Sequence, residues 1–358
     1  MPTILLPLAL PAAVGILALL LVPRGRWLAA ALGVVGTVGT GVAALPLVGS
    51  AEVLNRPLFE FAGLNVDFAL RVDAFASWAV VFVAFLGLAA TLYSVGAFRQ
   101  SGGAPGRYYA YVLHAVSGAI GVLLSANLLL LVVCWEIVTL MLFLLVVSGR
   151  TDAGPGAAKA FAILALGDMA LLLGVLFVGL AQSRAGLEGP LAVATLVANP
   201  LGAGSTFGVV AYVLLLVAAM AKAGAIPLHS WIPTMSTSTH PAVMAFLPGS
   251  VDKVLGIYLL VMISLKWFVP TPAMRMVVML VGVATMLGAV FMAMVQHDLR
   301  RLLSFHAVSQ VGYMLLGIGT GTLLGVVGGV FHLVNNAIYK ACLFLGAGEV
   351  ERESGTME

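Results

Sequence analysis

The chain has 358 residues, of which 62% are hydrophobic and only 9% are charged, and its formal net charge is +3. Soluble domains carry roughly 25% charged residues, and so small a net charge gives no argument for binding nucleic acid. Nearly uncharged runs such as 73–98, 108–149 and 275–296 reach or exceed the ~20 residues with which a helix crosses a bilayer. The composition therefore excludes a soluble domain and predicts an all-α polytopic membrane protein.

Hydropathy and the positions of Gly, Pro and charged residues predict about eleven transmembrane helices. They lie near residues 3–22, 27–49, 73–97, 108–126, 128–149, 157–181, 207–226, 241–265, 275–296, 302–320 and 324–348. The connections 50–72 and 182–206 are long enough to form small surface features, and residues 349–358 form a polar tail. The first apolar stretch has no basic residues before it and no small-residue cleavage site, so we expect a spanning helix and not a removed signal.

The distribution of Lys and Arg predicts the orientation, because cytoplasmic loops are richer in these residues. With the N-terminus outside the cell, nine basic residues lie in inner loops and five in outer loops. The inner residues are Arg24, Arg26, Arg99, Arg107, Arg150, Lys159, Arg300, Arg301 and Arg352, and the outer residues are Arg56, Arg71, Arg184, Lys266 and Arg275. We expect a protein of the cytoplasmic membrane with its C-terminus inside.

Four ionisable residues lie within stretches that otherwise read as transmembrane helix: Glu136, Lys222, Lys253 and Lys340. A charge at the bilayer centre costs about 2.5–3.5 kcal/mol, so each needs water, a partner charge or a function. Lys and Glu can both exchange a proton, and we interpret these four as a proton relay. For Glu136 two interpretations stay open: a structural ion pair, or a carboxylate whose distance from a lysine decides whether that lysine keeps its proton.

The segment after Lys222 is predicted to break the seventh helix. Pro227 lacks the backbone donor that would continue the helix, and a break within a membrane requires protein or water around the freed backbone. His229 follows the break as a supporting polar residue, and Pro248-Gly249 is a second weak point one turn before Lys253. Broken helices beside buried charge are typical of ion sites in transporters.

Asp252 directly precedes Lys253 in the predicted eighth helix. Local neutralisation of the lysine by this acid is one interpretation. Adjacent helix positions point about 100° apart, however, so we expect the two side chains to serve different partners.

His332, Asn336 and Lys340 recur at every fourth position and therefore share one helix face. Such a stripe suits proton hopping through side chains and water, and the alternative is a hydrogen-bonded packing seam between helices. His306 either continues this polar line or caps it. Asp168 is a further buried acid, with function and packing as equal alternatives.

Nothing in the sequence is typical of a metal or cofactor site. It contains no phosphate-binding Gly-rich loop, no CxxC cluster and no evident nucleophile–base arrangement. We therefore expect no metal and no cofactor in this chain, and any redox chemistry to take place on other subunits.

Five motifs together resemble a known family, the antiporter-like subunits of respiratory complex I. The same family includes large membrane subunits of energy-converting hydrogenases and of Mrp-type cation/proton antiporters. The motifs are Cys-Trp-Glu136, Lys222 to Pro233, Pro241 to Tyr258, Asp298 to Tyr313, and His332-x3-Asn336-x3-Lys340 to Gly348. They follow the family's order and spacing over most of the chain.

The resemblance implies two inverted five-helix repeats, each with half a proton channel and a broken helix. Helices 1–3 would occupy residues 1–107, the first repeat 108–265, a partial second repeat 266–348 and the polar tail 349–358. By the same resemblance the relay residues sit on helices five, seven, eight and eleven, with Asp168 on helix six: Glu136, Lys222, Lys253, and Lys340 with His332. Asn336 stands where some relatives have a second histidine, and it cannot titrate.

The resemblance also implies two further helices that would complete the second repeat. We expect a separate polypeptide to supply them, with a shortened family member as the alternative. The function implied is a proton-translocating, or sodium-linked, membrane subunit of a multisubunit redox-driven pump. Its partners would be other membrane-arm subunits, the lipid bilayer and, indirectly, peripheral redox subunits, but no nucleic acid. The alternatives are a subunit of a secondary Mrp-type antiporter and a non-conducting structural subunit.

Overall fold

The computed structural model describes residues 2–21, 25–61, 64–100, 107–148, 153–202 and 204–356. These residues form fourteen α-helices and one β-hairpin. The helices are α1 (Leu6–Leu21), α2 (Arg26–Ala44), α3 (Ala74–Gln100), α4 (Tyr108–Leu124), α5 (Leu128–Val147), α6 (Gly154–Arg184), α7 (Val193–Ala198), α8 (Thr206–Ala223), α9 (Trp231–Ser236), α10 (Pro241–Phe246), α11 (Asp252–Leu265), α12 (Pro272–Met294), α13 (Leu299–Gly319) and α14 (Leu323–Ser354).

Ten helical segments of the described chain are long and apolar enough to cross a membrane, and the shorter apolar helix α4 packs among them. Each predicted span coincides with a helical segment, and the prediction of an all-α polytopic membrane protein with about eleven helices is confirmed. Polar side chains cap several helices where the sequence supplies them. Asn127 caps α5, and Thr271, Asp298 and Thr322 cap α12, α13 and α14, because each side-chain oxygen accepts an N–H of the first turn.

The connection between α2 and α3 is a β-hairpin, which the sequence indicated only as a surface feature. Strand β1 (Val53–Phe61) pairs antiparallel with β2 (Leu64–Arg71), from Val53 opposite Arg71 to Phe61 opposite Leu64. The register shifts by one residue beside Pro57, where proline has no N–H to give to the ladder. The hairpin is the exception to an otherwise helical fold.

The segment 241–265 lies at the centre of the bundle and consists of α10, a π-helical turn (Leu247–Val251) and α11. In an 18-residue apolar stretch of this segment every residue is buried within the protein, whereas in the corresponding stretch of α12 only 28% of the residues are buried. A charged side chain on α11 therefore faces protein and not lipid. The central position of this segment determines the surroundings of Asp252 and Lys253.

Helix α14 runs through Ser354, so the predicted polar tail from residue 349 is helical for its first six positions. Ion pairs support these last turns. Arg300 of α13 binds Glu351, with Nη1 and Oε1 3.1 Å apart, and Glu349 binds Arg352 one turn later at 2.6 Å. The division into repeats stays a prediction.

The orientation also stays a prediction, and two of its basic residues, Arg24 and Arg150, lie outside the described residues. Three of the other inner residues lie at helix ends. Lys159 lies in the second turn of α6, and Arg300 and Arg301 lie in the first turn of α13. The last turn of α14 lies beside this end of α13, because its Glu351 contacts Arg300.

An ion cluster at the start of α3 joins the hairpin to α3 and α11. The Asp73 carboxylate accepts the Ala76 N–H at 2.8 Å, binds the Arg71 guanidinium, and lies 3.2 Å from Lys266 Nζ. Burial raises the pKa of Asp73, but the Ala76 and Arg71 hydrogen bonds and the two cations outweigh it. The pKa of Asp73 therefore falls from 3.8 to about 2.

This cluster gives a pH-dependent stability with a defined sign. Because folding lowers the pKa of Asp73, the cluster contributes fully above about pH 4 and loses its contribution as the pH falls towards 2. We expect the thermal unfolding midpoint of wild type to exceed that of Asp73→Asn by a constant amount at neutral pH. The difference should shrink below about pH 4, measured by unfolding in detergent. A difference that persists unchanged at low pH would contradict the assignment.

Candidate functional site

The centre of the site is an ion pair between α8 and α11. Lys222 lies in the last turn of α8, and its Nζ is 3.5 Å from Oδ1 of Asp252, the first residue of α11. The side-chain exposures are 0% and 1%, so the pair has no bulk water to screen it. At 3.5 Å the contact is longer than a normal charged hydrogen bond, and neither Asp252 oxygen has a hydrogen-bond partner among the described residues.

Residues of α5 and α6 hold the other side of the Lys222 ammonium group. Its Nζ donates to Oγ1 of Thr139 at 2.8 Å and lies 5.3 Å from the centre of the Trp135 ring. The Trp135 indole N–H donates to Asp168 at 2.7 Å. Asp168 thus fixes the tryptophan against which Lys222 rests, and its second oxygen is buried without a partner among the described residues.

Lys253 binds a backbone carbonyl that the helix break sets free. Helix α8 ends at Ala223, and Gly224 adopts a left-handed conformation with φ of 81°. The last carbonyls of a helix have no intrahelical donor, and Lys253 Nζ lies 3.3 Å from the carbonyl oxygen of Ala223. The predicted break is therefore present, but the helix ends four residues before Pro227.

Side chains satisfy two further groups of the backbone at the break, where freed groups within a membrane need protein or water partners. The Trp231 indole N–H donates to the Ala221 carbonyl at 3.1 Å, and the Ile226 N–H donates to Oγ1 of Thr285 at 3.1 Å. Helices α8 and α11 touch closely here, because a Cβ on Gly256 would lie 2.6 Å from the Ala223 nitrogen. This close approach brings Lys253 within reach of α8.

The second weak point, Pro248-Gly249, forms the π-helical turn immediately before Asp252. Ser250 in this turn donates to the carbonyls of Ala245 at 2.7 Å and Ala337 at 3.1 Å, and so links the turn to α14. Such turns are frequent at functional sites, because they shift the helix phase by a fraction of a turn.

The predicted stripe on α14 divides into a buried and a half-buried part. Asn336 and Lys340 are both 0% exposed, and the Lys340 Nζ and the Asn336 amide have no hydrogen-bond partner among the described residues. His332 is half-buried, and its Nε2 lies 2.9 Å from Oε1 of Gln310 on α13. Lys340 is thus a buried amine without a described acceptor, whereas His332 belongs to an interhelical contact.

Glu136 does not pair with Lys222 within this chain. It lies in the middle of α5, on a face whose apolar neighbours Val133 and Leu140 are 57% and 46% exposed, and it is itself exposed. The carboxylate that contacts Lys222 is that of Asp252, so an ion pair between Glu136 and this lysine is absent among the described residues, and the part of Glu136 in the relay stays a prediction. Periodicity alone did not show this, since α5 is apolar on every face.

The two supporting histidines are half-buried and lie in different places. His229 follows the break, and His306 lies in the third turn of α13 and not at a helix end as the sequence indicated. The Nδ1 atoms of both rings are buried without a hydrogen-bond partner among the described residues.

Thr139 and Gln310 are site residues that the sequence did not indicate, and for Asp252 it offered Lys253 but not Lys222 as a partner. The one usable signal was the 100° offset between Asp252 and Lys253, which correctly indicated different partners. Together the three lysines form a chemically unusual set: buried amines, of which Lys222 has a carboxylate, Lys253 a carbonyl and Lys340 no described acceptor. Such amines can bind and release protons out of contact with bulk solvent.

Replacing Thr139 with valine removes the hydroxyl that Lys222 binds and keeps the side-chain shape. We expect a destabilisation of about 1.5–3 kcal/mol, the range for a hydrogen bond to a charged group, measured by thermal unfolding of the purified protein. Thr91→Val is the matched control, because the buried Thr91 hydroxyl binds only Gly87 of its own helix. Equal losses in the two variants would contradict a specific role for Thr139.

Comparisons with known proteins relate this site to a family. Residues 125–358 match the family described as NADH:quinone oxidoreductase/Mrp antiporter, TM. The chain is 32% identical over 318 residues to the A/B subunit of a probable K(+)/H(+) antiporter of Rhizobium meliloti (strain 1021), covering 87% of this chain and 31% of that protein. It is 31% identical over 339 residues to the L subunit of F(420)H(2) dehydrogenase of Methanosarcina mazei, covering 87% and 49%. The chain spans about half or less of the length of these curated relatives.

Solved structures share the fold. A chain of the Mrp complex from Dietzia sp. DQ12-45-1b superposes with a TM-score of 0.87 and 26% identity, covering 99% of this chain and 38% of that one. A chain of the membrane-bound sulfane sulfur reductase, described as an archaeal respiratory membrane complex, superposes with a TM-score of 0.77 and 24% identity, covering 96% and 55%. The second likeness concerns the fold alone.

Proposed function

The chain belongs to the NADH:quinone oxidoreductase/Mrp antiporter transmembrane family, and from this we propose that it carries protons through the membrane as one subunit of a larger ion-translocating complex. The observation that carries the proposal is the set of three buried lysines, which are 1%, 0% and 0% exposed at Lys222, Lys253 and Lys340. Charges at this depth are costly and mark ion pathways by default. The complex would be a redox-driven pump whose redox centres lie on other subunits.

Lys222 faces the Asp252 carboxylate and Lys253 the Ala223 carbonyl, whereas Lys340 has no acceptor among the described residues. The carboxylate of Asp252 favours the charged form of Lys222, whereas burial favours the neutral form. Separating the pair, already 3.5 Å apart, would therefore release a proton. Protons would be taken up from the inner side at Lys222, pass through water to Lys253 and continue along the face of Lys340. Asn336 would orient water on this path, since its amide cannot titrate.

Glu136 is the proposed contact through which a neighbouring membrane protein of the complex influences the relay. A carboxylate exposed in the middle of a transmembrane helix costs about 2.5–3.5 kcal/mol against lipid, so a partner subunit would cover it. The relatives and the solved structures that resemble the chain come from multisubunit membrane complexes, which supports such partners.

Because Glu136 is exposed, we expect Glu136→Gln to affect ion translocation but not stability. The thermal unfolding midpoint of the isolated chain should stay nearly unchanged, because the exposed side chain makes no hydrogen bond or ion pair with the described residues. Ion translocation by the assembled complex should fall at least about tenfold, the effect of one lost charge-assisted contact. Measuring both quantities separates the two effects, and a stability loss without a transport loss would contradict the proposal.

A component of a secondary cation/proton antiporter is the second candidate, and the similarity to the Mrp complex and to part of a probable K(+)/H(+) antiporter favours it. The purified complex, reconstituted in vesicles with an internal pH dye, distinguishes the candidates. A redox-driven pump changes the internal pH on addition of its electron donor. An antiporter changes it on addition of a Na⁺ or K⁺ gradient without any donor. No pH change under either condition would contradict proton translocation.

A further inference from the structure

We propose that a cavity beside the helix break binds a phosphate group, carried by an anionic phospholipid headgroup or by a free phosphate anion. Its cationic lining residues are Lys159, His229 and Arg301. The inference goes beyond the proposed transport function, because it concerns a ligand that the relay itself does not use.

The cavity lies where three helix ends meet. Lys159 stands in the second turn of α6, Arg301 in the first turn of α13, and Gln296 two residues after the end of α12. The cavity volume is about 270 Å³, which accommodates a phosphate group with part of a glycerol. Helix ends in a membrane protein lie near the headgroup level, so lipid phosphates are at hand.

The lining residues are chemically suited to an anion. The described residues around the cavity include a lysine, an arginine and an imidazole, with the hydroxyl group of Ser230 as a further donor, and no carboxylate. The Thr234 hydroxyl already donates to the Ser230 carbonyl at 2.7 Å. Lys159 Nζ donates to Oγ1 of Thr234 at 2.9 Å, which positions the amine at the cavity. Cations gathered without a counter-charge repel one another, and an anion between them removes that repulsion.

Two further observations support an external ligand. Asp298, a nearby carboxylate in the sequence, is occupied elsewhere, since it accepts the Arg301 N–H at 3.0 Å and pairs with Arg300. The Nδ1 atom of His229 is buried without a partner among the described residues, and a buried polar atom normally has one. A phosphate oxygen or hydroxyl in the cavity would provide it.

The ligand would connect the two sides of the broken helix to the rest of the bundle. His229 and Thr234 belong to the segment between α8 and α10, whereas Lys159 and Arg301 belong to α6 and α13. A bound phosphate would hold this segment in place at the side where the proposed function takes up protons. It would also neutralise cations that otherwise repel an incoming proton.

The test measures phosphate binding to the purified complex in a neutral detergent. Native mass spectrometry would count retained phosphatidylglycerol against phosphatidylcholine, and calorimetry would measure inorganic phosphate. We expect one tightly held phosphatidylglycerol or phosphate per chain. Lys159→Gln and Arg301→Gln should each weaken binding about tenfold or more, because each removes a charge-assisted hydrogen bond. Retention of lipid without binding of inorganic phosphate identifies a headgroup site, and binding of both identifies a site for the phosphate itself.

Matched variants separate binding from folding. Gln296→Glu keeps both cations and the side-chain shape but adds a competing carboxylate, so it should weaken binding as well. Lys159→Arg should retain binding. Arg184→Gln is the control, because Arg184 lies at the opposite end of α6, 4.3 Å from the Phe207 ring centre. Absence of saturable binding, or equal binding by the wild type, Lys159→Gln and Gln296→Glu, would overturn the proposal.

Discussion

Replacing Lys222 with methionine should abolish ion translocation, and replacing it with arginine should not restore it. Methionine fills the volume without a proton to exchange, whereas arginine keeps a positive charge that cannot be released at any working pH. A relay requires release, so both variants should lose transport. If Lys222 served only as a fixed positive charge, arginine would replace it without loss of transport. The measurement is the rate of internal pH change in vesicles that contain the complex.

Folding must be separated from transport in this experiment, because Lys222→Met leaves Asp252 buried without its partner. Breaking a buried ion pair costs about 3–5 kcal/mol, whereas replacing both members with apolar residues is often neutral or stabilising. We therefore expect Lys222→Met/Asp252→Leu to regain the unfolding midpoint of the wild type and to remain inactive. Transport by this double variant would contradict the relay, and so would full activity of Lys222→Arg.

Asp252→Asn should reduce ion translocation by at least about tenfold, since Lys222 loses its only described carboxylate contact. Asparagine keeps the size and polarity of aspartate but cannot stabilise the ammonium form. The buried ammonium form would lose this stabilisation, so proton uptake at Lys222 should be slower. The rate of internal pH change should recover partly when the pH of the uptake side is lowered, because a higher proton concentration offsets the weaker affinity.

The control for this variant is Asp73→Asn, which also removes a carboxylate paired with lysine. Asp73 lies outside the membrane-spanning segments and binds Arg71 and Lys266 at the hairpin, so transport at neutral pH should be unchanged. Normal transport by Asp252→Asn, or an equal loss in both variants, would show that the α8–α11 pair is only structural.

The sequence predicted the features of the site that depend on local chemistry. Lys222, Lys253 and Lys340 stand out because charge is rare in apolar helices, and Pro227 indicated the break because proline has no N–H. The structure moves the end of α8 to Ala223, where a glycine in the left-handed region follows. That ending was readable in principle, since glycine after a lysine-bearing last turn is a common helix stop.

Partner choice could not be predicted, because it depends on how helices distant in sequence pack. Asp252 reaches Lys222 and not its own neighbour, and His332 reaches Gln310. Glu136 faces away from the bundle because other helices cover the opposite side of α5. A helix that is apolar all round carries no signal for which of its faces is buried. The glutamate on α5 indicates only that a protein group must cover one of those faces, not which helix does so.

The Ala223 carbonyl ties two amines to one piece of backbone. It belongs to the residue after Lys222, and it is also the acceptor for Lys253. If α8 became one residue shorter or longer at Gly224, Lys222 would move away from Asp252. Lys253 would at the same time lose its contact with the Ala223 carbonyl. One backbone movement would then change the surroundings of both lysines, so the two steps of proton transfer would be coupled.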